Sequence, residues 1–307
     1  MAESVRVSVV IAVDDSATHL EAAVLSALRS DLQELEVLVV DNSPTDRSAT
    51  ICVGEADSRL ARVRLRPGRG KSRPRNVGIA RARAPYVTFL ESNDVLKPNW
   101  LSATATALDA RSEAGFAFAD FEVIDVNGRV VRRCDVFPSF DTPATEPLQD
   151  KWCVLRRLQL ARGLLNGNFI CTSGVVLRRK LLTEIGPFDE TVAGCAELDL
   201  WFRLAHCCDA LYSSDVSHSH REQPGCDSTA IDAVEECIAV LRRERSRWSD
   251  RAARRQLDRL IAHKLGRIAC QERQRRHRLR SAAMFAYAFA TSPDLRWLTR
   301  MLGSILP

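Results

Sequence analysis

The chain has 307 residues, 46% hydrophobic and 27% charged, with a formal net charge of +5. This is the composition of an ordinary folded protein, long enough for one main core and an appendage, and it carries no mark of disorder. The longest apolar run near the C-terminus, Ala282 to Ala290, is about half of what a membrane span needs, and the acidic start Met1-Ala2-Glu3-Ser4 is wrongly built for a signal peptide. Neither a membrane span nor export is expected.

Arg6 to Val13 (RVSVVIAV) is a continuous apolar run, as expected of a strand covered on both faces. After Asp14-Asp15, Thr18-His19-Leu20-Glu21 has capping-box spacing and predicts a helix with Leu20, Val24 and Leu28 on one face. Leu35 to Val40 predicts a second strand ending in Asp41-Asn42, with a helix starting at Ser43-Pro44. A short strand over Val63 to Arg66, a loop over Pro67 to Gly70 and a helix over Asn76 to Arg83 follow. Tyr86 to Leu90 is the fourth strand. It runs into Glu91-Ser92-Asn93-Asp94, and Lys97-Pro98 then opens a helix through Asp109. Strand–helix alternation with short connections predicts an α/β layer with a largely parallel sheet. Polar residues collect at the carboxyl edge of that sheet, where open α/β folds bind ligands.

Asn127-Gly128 between Phe116–Asp125 and Arg129–Arg133 predicts a hairpin, and Phe137 to Pro147 reads as a loop. Trp152 to Leu165 is expected to be helical, Thr172 to Leu177 a strand, Arg179 to Ile185 a helix, Gly186 to Glu190 a turn and Leu198 to Cys208 a helix. His218-Ser219-His220 is expected on a loop. From Ile231 the chain becomes helical and basic. From Asp232 to the end, 17 Lys/Arg face 8 Asp/Glu, whereas the first 231 residues sum to about −4. The composition shift sets domains of residues 1–222 and 223–307. The ten cysteines include no Cys-x-x-Cys pair, so buried free thiols in a cytosolic chain are expected and cysteine ligation of a metal is not. The Walker spacing that Gly70-Lys71-Ser72 suggests fails because Leu65 stands where a glycine is required.

The blocks VSVVIAV, VVDNSPTD, SRPRNVGIARA, YVTFLESND and FDE…ELDLWFRL, in this order over the first 220 residues, resemble family 2 inverting glycosyltransferases of the GT-A fold. The resemblance implies a Rossmann-like, mostly parallel sheet flanked by helices, with the C-terminal helices as an appendage. It also implies a nucleotide-diphosphate sugar lying across the carboxyl edge. Asp14 falls in the first loop at the base, and Asp41 and Asn42 fall on the pair that contacts uracil and ribose. Asn42 replaces the usual aspartate and adds a donor that alters base preference. Arg75 and Asn76 match an Arg-Asn pair beside the donor, although the arginines around them also read as a solvated basic face. No aromatic residues interleave with those arginines, so nucleic acid is not an expected partner.

Glu91, Ser92, Asn93 and Asp94 align with the family's Asp-x-Asp-Asp. Its third residue is the principal metal-binding carboxylate, here Asn93. With His220, the resemblance implies a metal site of Asn93, Asp94 and His220, with Mg²⁺ or Mn²⁺ binding weak or absent because an amide brings no charge. His218 stands where an arginine is common. Glu197, before the Asp199-Leu200-Trp201-Phe202-Arg203-Leu204 helix, falls on the catalytic base; its competing role is a surface glutamate favoured by the helix dipole.

The implied activity is inverting transfer of a sugar to a hydroxyl acceptor (a glycan, a lipid-linked molecule or a small molecule), in cell-envelope or polysaccharide synthesis. The alternative is a weakened or inactive GT-A-fold binding protein, since Asn93 and Glu197 replace two much-used acids. Trp297, Met301 and leucines interspersed with Arg296 and Arg300 suit either packing or peripheral contact with the inner face of the membrane. The expected location is cytoplasmic.

Overall fold

The computed structural model describes residues 4–13, 18–44, 57–68, 70–136, 146–147, 151–192, 194–222 and 230–305. Asp14, Asp15 and the helix expected from Ser43-Pro44 lie outside the described residues, as does most of the 137–147 loop. The residues form two compact units, one of 1–164, 168–190 and 200–225, the other of 165–167, 191–199 and 226–307.

The first unit is built on one sheet. Its apolar runs become β1 (Val7–Val13), β2 (Leu35–Asp41), β3 (Leu60–Arg64) and β4 (Tyr86–Glu91), paired in parallel in the order β3-β2-β1-β4. All seven residues of β1 are buried, as a strand covered on both faces requires. Val7, Val9, Ile11 and Val13 join one core cluster with α1 (Leu20–Leu28) and α3 (Trp100–Asp109). On the other face, Val10 packs on Gly78 of α2 (Ser72–Arg81), where an added Cβ would fall 2.3 Å from a Val10 methyl. The capping box before α1 does not form: the N-cap residue is His19 and it makes no side-chain cap bond.

Beyond β4 the sheet turns mixed. β5 (Val95–Leu96), β6 (Ala114–Ile124), β7 (Val130–Cys134), β8 (Glu146–Pro147), β9 (Trp152–Leu155), β10 (Val176–Arg178) and β11 (Asp209–Arg221) complete it in the order β4-β10-β6-β11-β9-β8, with β5 on β11 and β7 on β6. β6 and β7 form the expected Asn127-Gly128 hairpin. β6 and β11 are parallel, while β10 is antiparallel to both β4 and β6, so the unbroken parallel run ends at the fourth strand.

Two expectations fail here. Trp152 to Leu155 is strand, because its residues pair along the edge of β11; the helix α4 (Arg157–Leu164) starts only afterwards. Its first amide, on Arg157, donates to Asp209 (2.8 Å), a cap from 52 residues away that local pattern does not reveal. His218-Ser219-His220 is also strand. Register shifts between β11 and β6 let the polar run stay in the ladder. α5 (Arg179–Ile185) and α6 (Ala196–Cys207) complete the helices that begin in or enter this unit.

The second unit carries α7 (Ile231–Arg247), α8 (Arg251–Gln274), α9 (Arg278–Thr291) and α10 (Leu295–Ile305). Val234, Ile238 and Leu241, then Leu257, Ile261, Leu265 and Ile268, are buried as their periodicity requires. Asp250 caps α8 by accepting from the Ala252 amide, and Gly266 leaves room for the Trp297 ring to lie on α8. Cys195 and Cys237 are joined as a disulfide, with Cα atoms 5.1 Å apart, and Cys207 and Cys270 are exposed. The expectation of buried free thiols throughout is therefore corrected. Forty-two residues separate that pair, and only folding brings them together.

A buried polar clamp registers β1 against β2. Glu36 accepts from Ser8 Oγ (2.6 Å), the Arg83 amide (2.7 Å) and Arg83 Nε (2.8 Å). Burial alone would raise its carboxyl pKa; the Ser8 hydroxyl and Arg83 together outweigh it and hold the pKa below its ordinary 4.5. A depressed folded pKa contributes stability that is complete above 4.5 and lost as pH falls through the folded value. Glu36→Gln is expected to cost about 1–3 kcal/mol in urea unfolding at neutral pH. That deficit should shrink as pH falls below 4.5; a gap constant with pH would show that ionisation of Glu36 is irrelevant.

Candidate active site at the sheet's carboxyl edge

The parallel strands deliver their polar ends to one edge. Asp41, fully buried at the end of β2, accepts from the Ser43 amide (2.9 Å) and hydroxyl (2.6 Å) and ion-pairs with Arg62 (2.8 Å) and Arg64 (2.7 Å). Asn42 follows, 2% exposed, and its Nδ2 donates to the Gly68 carbonyl (2.7 Å). Its Oδ1 is buried and has no hydrogen-bond partner among the described residues. The Ser72 hydroxyl at the start of α2 is in the same condition. The first turn of α2 holds no acid, so nothing on that helix offsets the positive end of its dipole.

Lys71 and Arg75, one turn apart at this helix start, both ion-pair with Glu91 at the end of β4, Arg75 at 2.5 Å. Burial would raise the Glu91 pKa, but the two cations overcome it and bring it to about 2. Arg75 also lies over the Phe188 ring, 5.0 Å from its centroid. Asn76 is turned to that same loop: its Nδ2 donates to Phe188 O and Glu190 Oε1 (both 2.9 Å), and its Oδ1 accepts from the Phe188 amide (3.0 Å). Arg203, from the Leu-Trp-Phe-Arg-Leu helix, donates to the carbonyls of Ile185, Gly186 and Pro187. The Gly186 to Glu190 turn is thus held from two sides.

The turn after Glu91 is bolted to β11. Asn93 Nδ2 donates to the Arg221 carbonyl (2.9 Å), and Arg221 Nε donates back to Asn93 O (3.1 Å). Asp94, fully buried, accepts from the Arg221 amide (3.0 Å), Ser173 Oγ (2.6 Å) and His220 Nδ1. Ser92 is buried beside it. These acids do not cap the next helix, whose N-cap is Asn99 with no side-chain cap bond.

The residues implied by resemblance offer a hard cation such as Mg²⁺ or Mn²⁺ a single carboxylate, Asp94, which makes them a weak site for it. Glu91 is neutralised by two cations, and Asn93 is uncharged with its amide nitrogen on Arg221. Folding instead brings Cys171 to Asp94 and His220, with ligand atoms of all three within 4.8 Å of one another. Cys171 was invisible as a site residue because its partners lie far away in the chain. His218, fully buried, places Nε2 3.1 Å from Cys171 Sγ and stacks on Phe121. Burial drops its pKa to about 4, whereas the hydrogen bond to Asp94 raises that of His220.

Glu197 is half-buried in the first turn of α6, on the 191–199 segment of the second unit. That segment is fastened to α7. The Gly194 amide donates to Glu236 (2.6 Å), Cys195 is bonded to Cys237, and Asp199 pairs with Arg243 at 3.1 Å. Sequence reasoning missed this fastening, along with Lys71 and Ser72. The Gly-Lys-Ser run at a helix start was a usable signal for the latter two.

The sequence profile of glycosyl transferase family 2 matches residues 8–186, more than half of the chain. The chain belongs to that family. Among curated relatives, this family 2 chain is similar to an uncharacterized glycosyltransferase of Rickettsia bellii, 25% identical over 238 residues that cover 76% of this chain and 32% of that protein. It is also similar to the succinoglycan biosynthesis protein ExoO of Rhizobium meliloti, 31% identical over 126 residues, covering 41% of this chain and 36% of ExoO. The chain spans about a third of the length of these relatives. Among solved structures, S. aureus TarS 1-349 in complex with UDP superposes with a TM-score of 0.63 at 17% identity, covering 97% of this chain and 88% of that one. The TarS 1-349 complex with UDP-GlcNAc gives 0.60 at 20% identity, covering 94% and 82%. At such identities the likeness concerns the fold, and the fold is the GT-A architecture that the sequence blocks imply.

Proposed function

We propose that this family 2 chain transfers a sugar from a nucleotide-diphosphate donor to a hydroxyl acceptor, with inversion at the anomeric carbon. The observation that carries the reading is that two of the five buried polar atoms without partners among the described residues, Asn42 Oδ1 and Ser72 Oγ, lie at the carboxyl edge of the parallel sheet. Such an atom costs about 1–3 kcal/mol if left unmet, so the placing of two at one ligand-binding edge supports a bound molecule that meets them. Asn42 Oδ1 accepts a base N–H. Ser72 Oγ, the start of α2 and Lys71 favour a diphosphate. The binding of UDP and UDP-GlcNAc by TarS, which shares the fold, supports this assignment.

In this mechanism Glu197 takes the proton of the acceptor hydroxyl. The oxygen then forms its bond to the anomeric carbon as the bond to the diphosphate breaks, and the electron pair leaves with the nucleoside diphosphate. Lys71 and the dipole of α2 stabilise the charge that develops there. Glu197 is given this role by its place in the first turn of α6, just ahead of the Asp199–Leu204 stretch. Gly194, Cys195 and Asp199, each tied to α7, set the backbone that carries it.

Thermal-shift scans against UDP-, GDP- and dTDP-sugars are expected to show stabilisation by at least one donor, weakened roughly 2- to 10-fold in affinity by Ser72→Ala. Stabilisation by none of them would remove the reading. Glu197→Gln is expected to lower kcat by about 100-fold or more with donor affinity unchanged. An unaltered rate would take the base role away from Glu197.

No described helix is long and apolar enough to cross a membrane. We propose peripheral contact instead, through α10, where Leu295 (74%) and Leu302 (49%) are exposed beside Arg296 and Arg300. Co-sedimentation with anionic liposomes should fall when Leu295 and Leu302 are both changed to Ser. Equal binding by the variant, or none by the parent protein, would overturn this contact.

A further inference from the structure

We propose that Asp94, Cys171 and His220 form a binding site for a borderline or soft divalent cation, zinc foremost, in place of the hard-cation site that the family resemblance implies. The three groups come from the turn after β4, the segment before β10 and the end of β11. Their ligand atoms converge within 4.8 Å. Tetrahedral zinc with bonds of about 2.0–2.3 Å holds its ligands roughly 3.3–3.8 Å apart. Asp94 Oδ1 and His220 Nδ1 stand 3.2 Å apart and the three ligand atoms span at most 4.8 Å, so closing the site draws them together by about 1 Å.

The surroundings are those of a supported metal site. Asp94 is oriented by the Arg221 amide on one oxygen and Ser173 Oγ on the other, which leaves a lone pair on each for an ion. His218 Nε2 lies 3.1 Å from Cys171 Sγ, and its other nitrogen is fixed by Ser217 Oγ at 2.9 Å, so the sulfur has a positioned imidazole beside it. Cys171 and His220 also line a cavity of about 350 Å³ with Phe121, Val136 and Phe169, which supplies an entry path and an open fourth position. The donor set of one thiolate, one imidazole and one carboxylate disfavours Mg²⁺, which asks for octahedral oxygen, and ranks Mn²⁺ well below Zn²⁺. On binding, a sulfur–metal bond replaces the Cys171 S–H bond. The thiol proton leaves to solvent, as does the proton that His220 shares with Asp94.

This inference stands apart from the sugar-transfer reading, because metal binding is measured without donor or acceptor. The full chain, stripped of metal, is titrated with Co²⁺ and then with Zn²⁺, Mn²⁺ and Mg²⁺ as competitors. The expected result is an intense near-ultraviolet band of thiolate-to-cobalt charge transfer with tetrahedral visible absorption. Stoichiometric Zn²⁺ should abolish both, whereas Mg²⁺ or Mn²⁺ at large excess should not. Cys171→Ser should lose the charge-transfer band while keeping the metal-free melting temperature. Its Zn²⁺ affinity should fall by more than the roughly 10–100-fold that loss of an outer-shell partner costs. His220→Gln should weaken binding while leaving the band at saturation. Absence of the charge-transfer band in the parent protein overturns the site whatever the variants do, and so does displacement of cobalt by Mg²⁺ as readily as by Zn²⁺.

Discussion

The half-buried carboxylate of Glu91 is the constraint from which this edge is built. A charge at the end of a buried strand is tolerated only when it is matched, and Lys71 and Arg75 both meet it. Matching Glu91 pins the start of α2 against the end of β4. It also places Arg75 over Phe188, whose loop Asn76 and Arg203 then hold. One electrostatic requirement thus fixes a helix, a strand end and a turn drawn from distant parts of the chain.

The same requirement changes what the edge can bind. A carboxylate with two cations on it is a poor ligand for a third, and the neighbouring Asn93 brings no charge. Negative charge available to a ligand therefore shifts to Asp94, in the turn after β4, where an imidazole and a thiol converge on it. On the positive side, α2 begins without an acid, and Lys71 and Arg75 together with Glu91 leave one net positive charge at its start.

The C-terminal helices have two faces of use. Their buried stripes make a core of their own, while α7 fastens the 191–199 segment through Glu236, Cys237 and Arg243. The side chain proposed as base is carried on backbone that the appendage organises, so the basic region is more than a solvated tail.

The sequence by itself determined the architecture of the first four strands and the residues at their ends. A seven-residue apolar strand buried on both faces forces helices onto both sides and its polar continuation onto the carboxyl edge. Periodicity likewise fixed the buried faces of α7 and α8, and the ordered blocks fixed the family. Only the tertiary structure decided what depends on residues remote in sequence. It moved Trp152 to Leu155 into a strand because β11 offered an edge, and it kept His218 and His220 in a strand because β6 and β5 paired with it. It also joined Cys195 to Cys237 and brought Cys171 to Asp94 and His220. Local propensity acts over a few residues, whereas ion pairs, metal ligands and disulfides act through space. A motif alone therefore predicts where the acids of Glu91 to Asp94 lie, and not which of them is left available to bind.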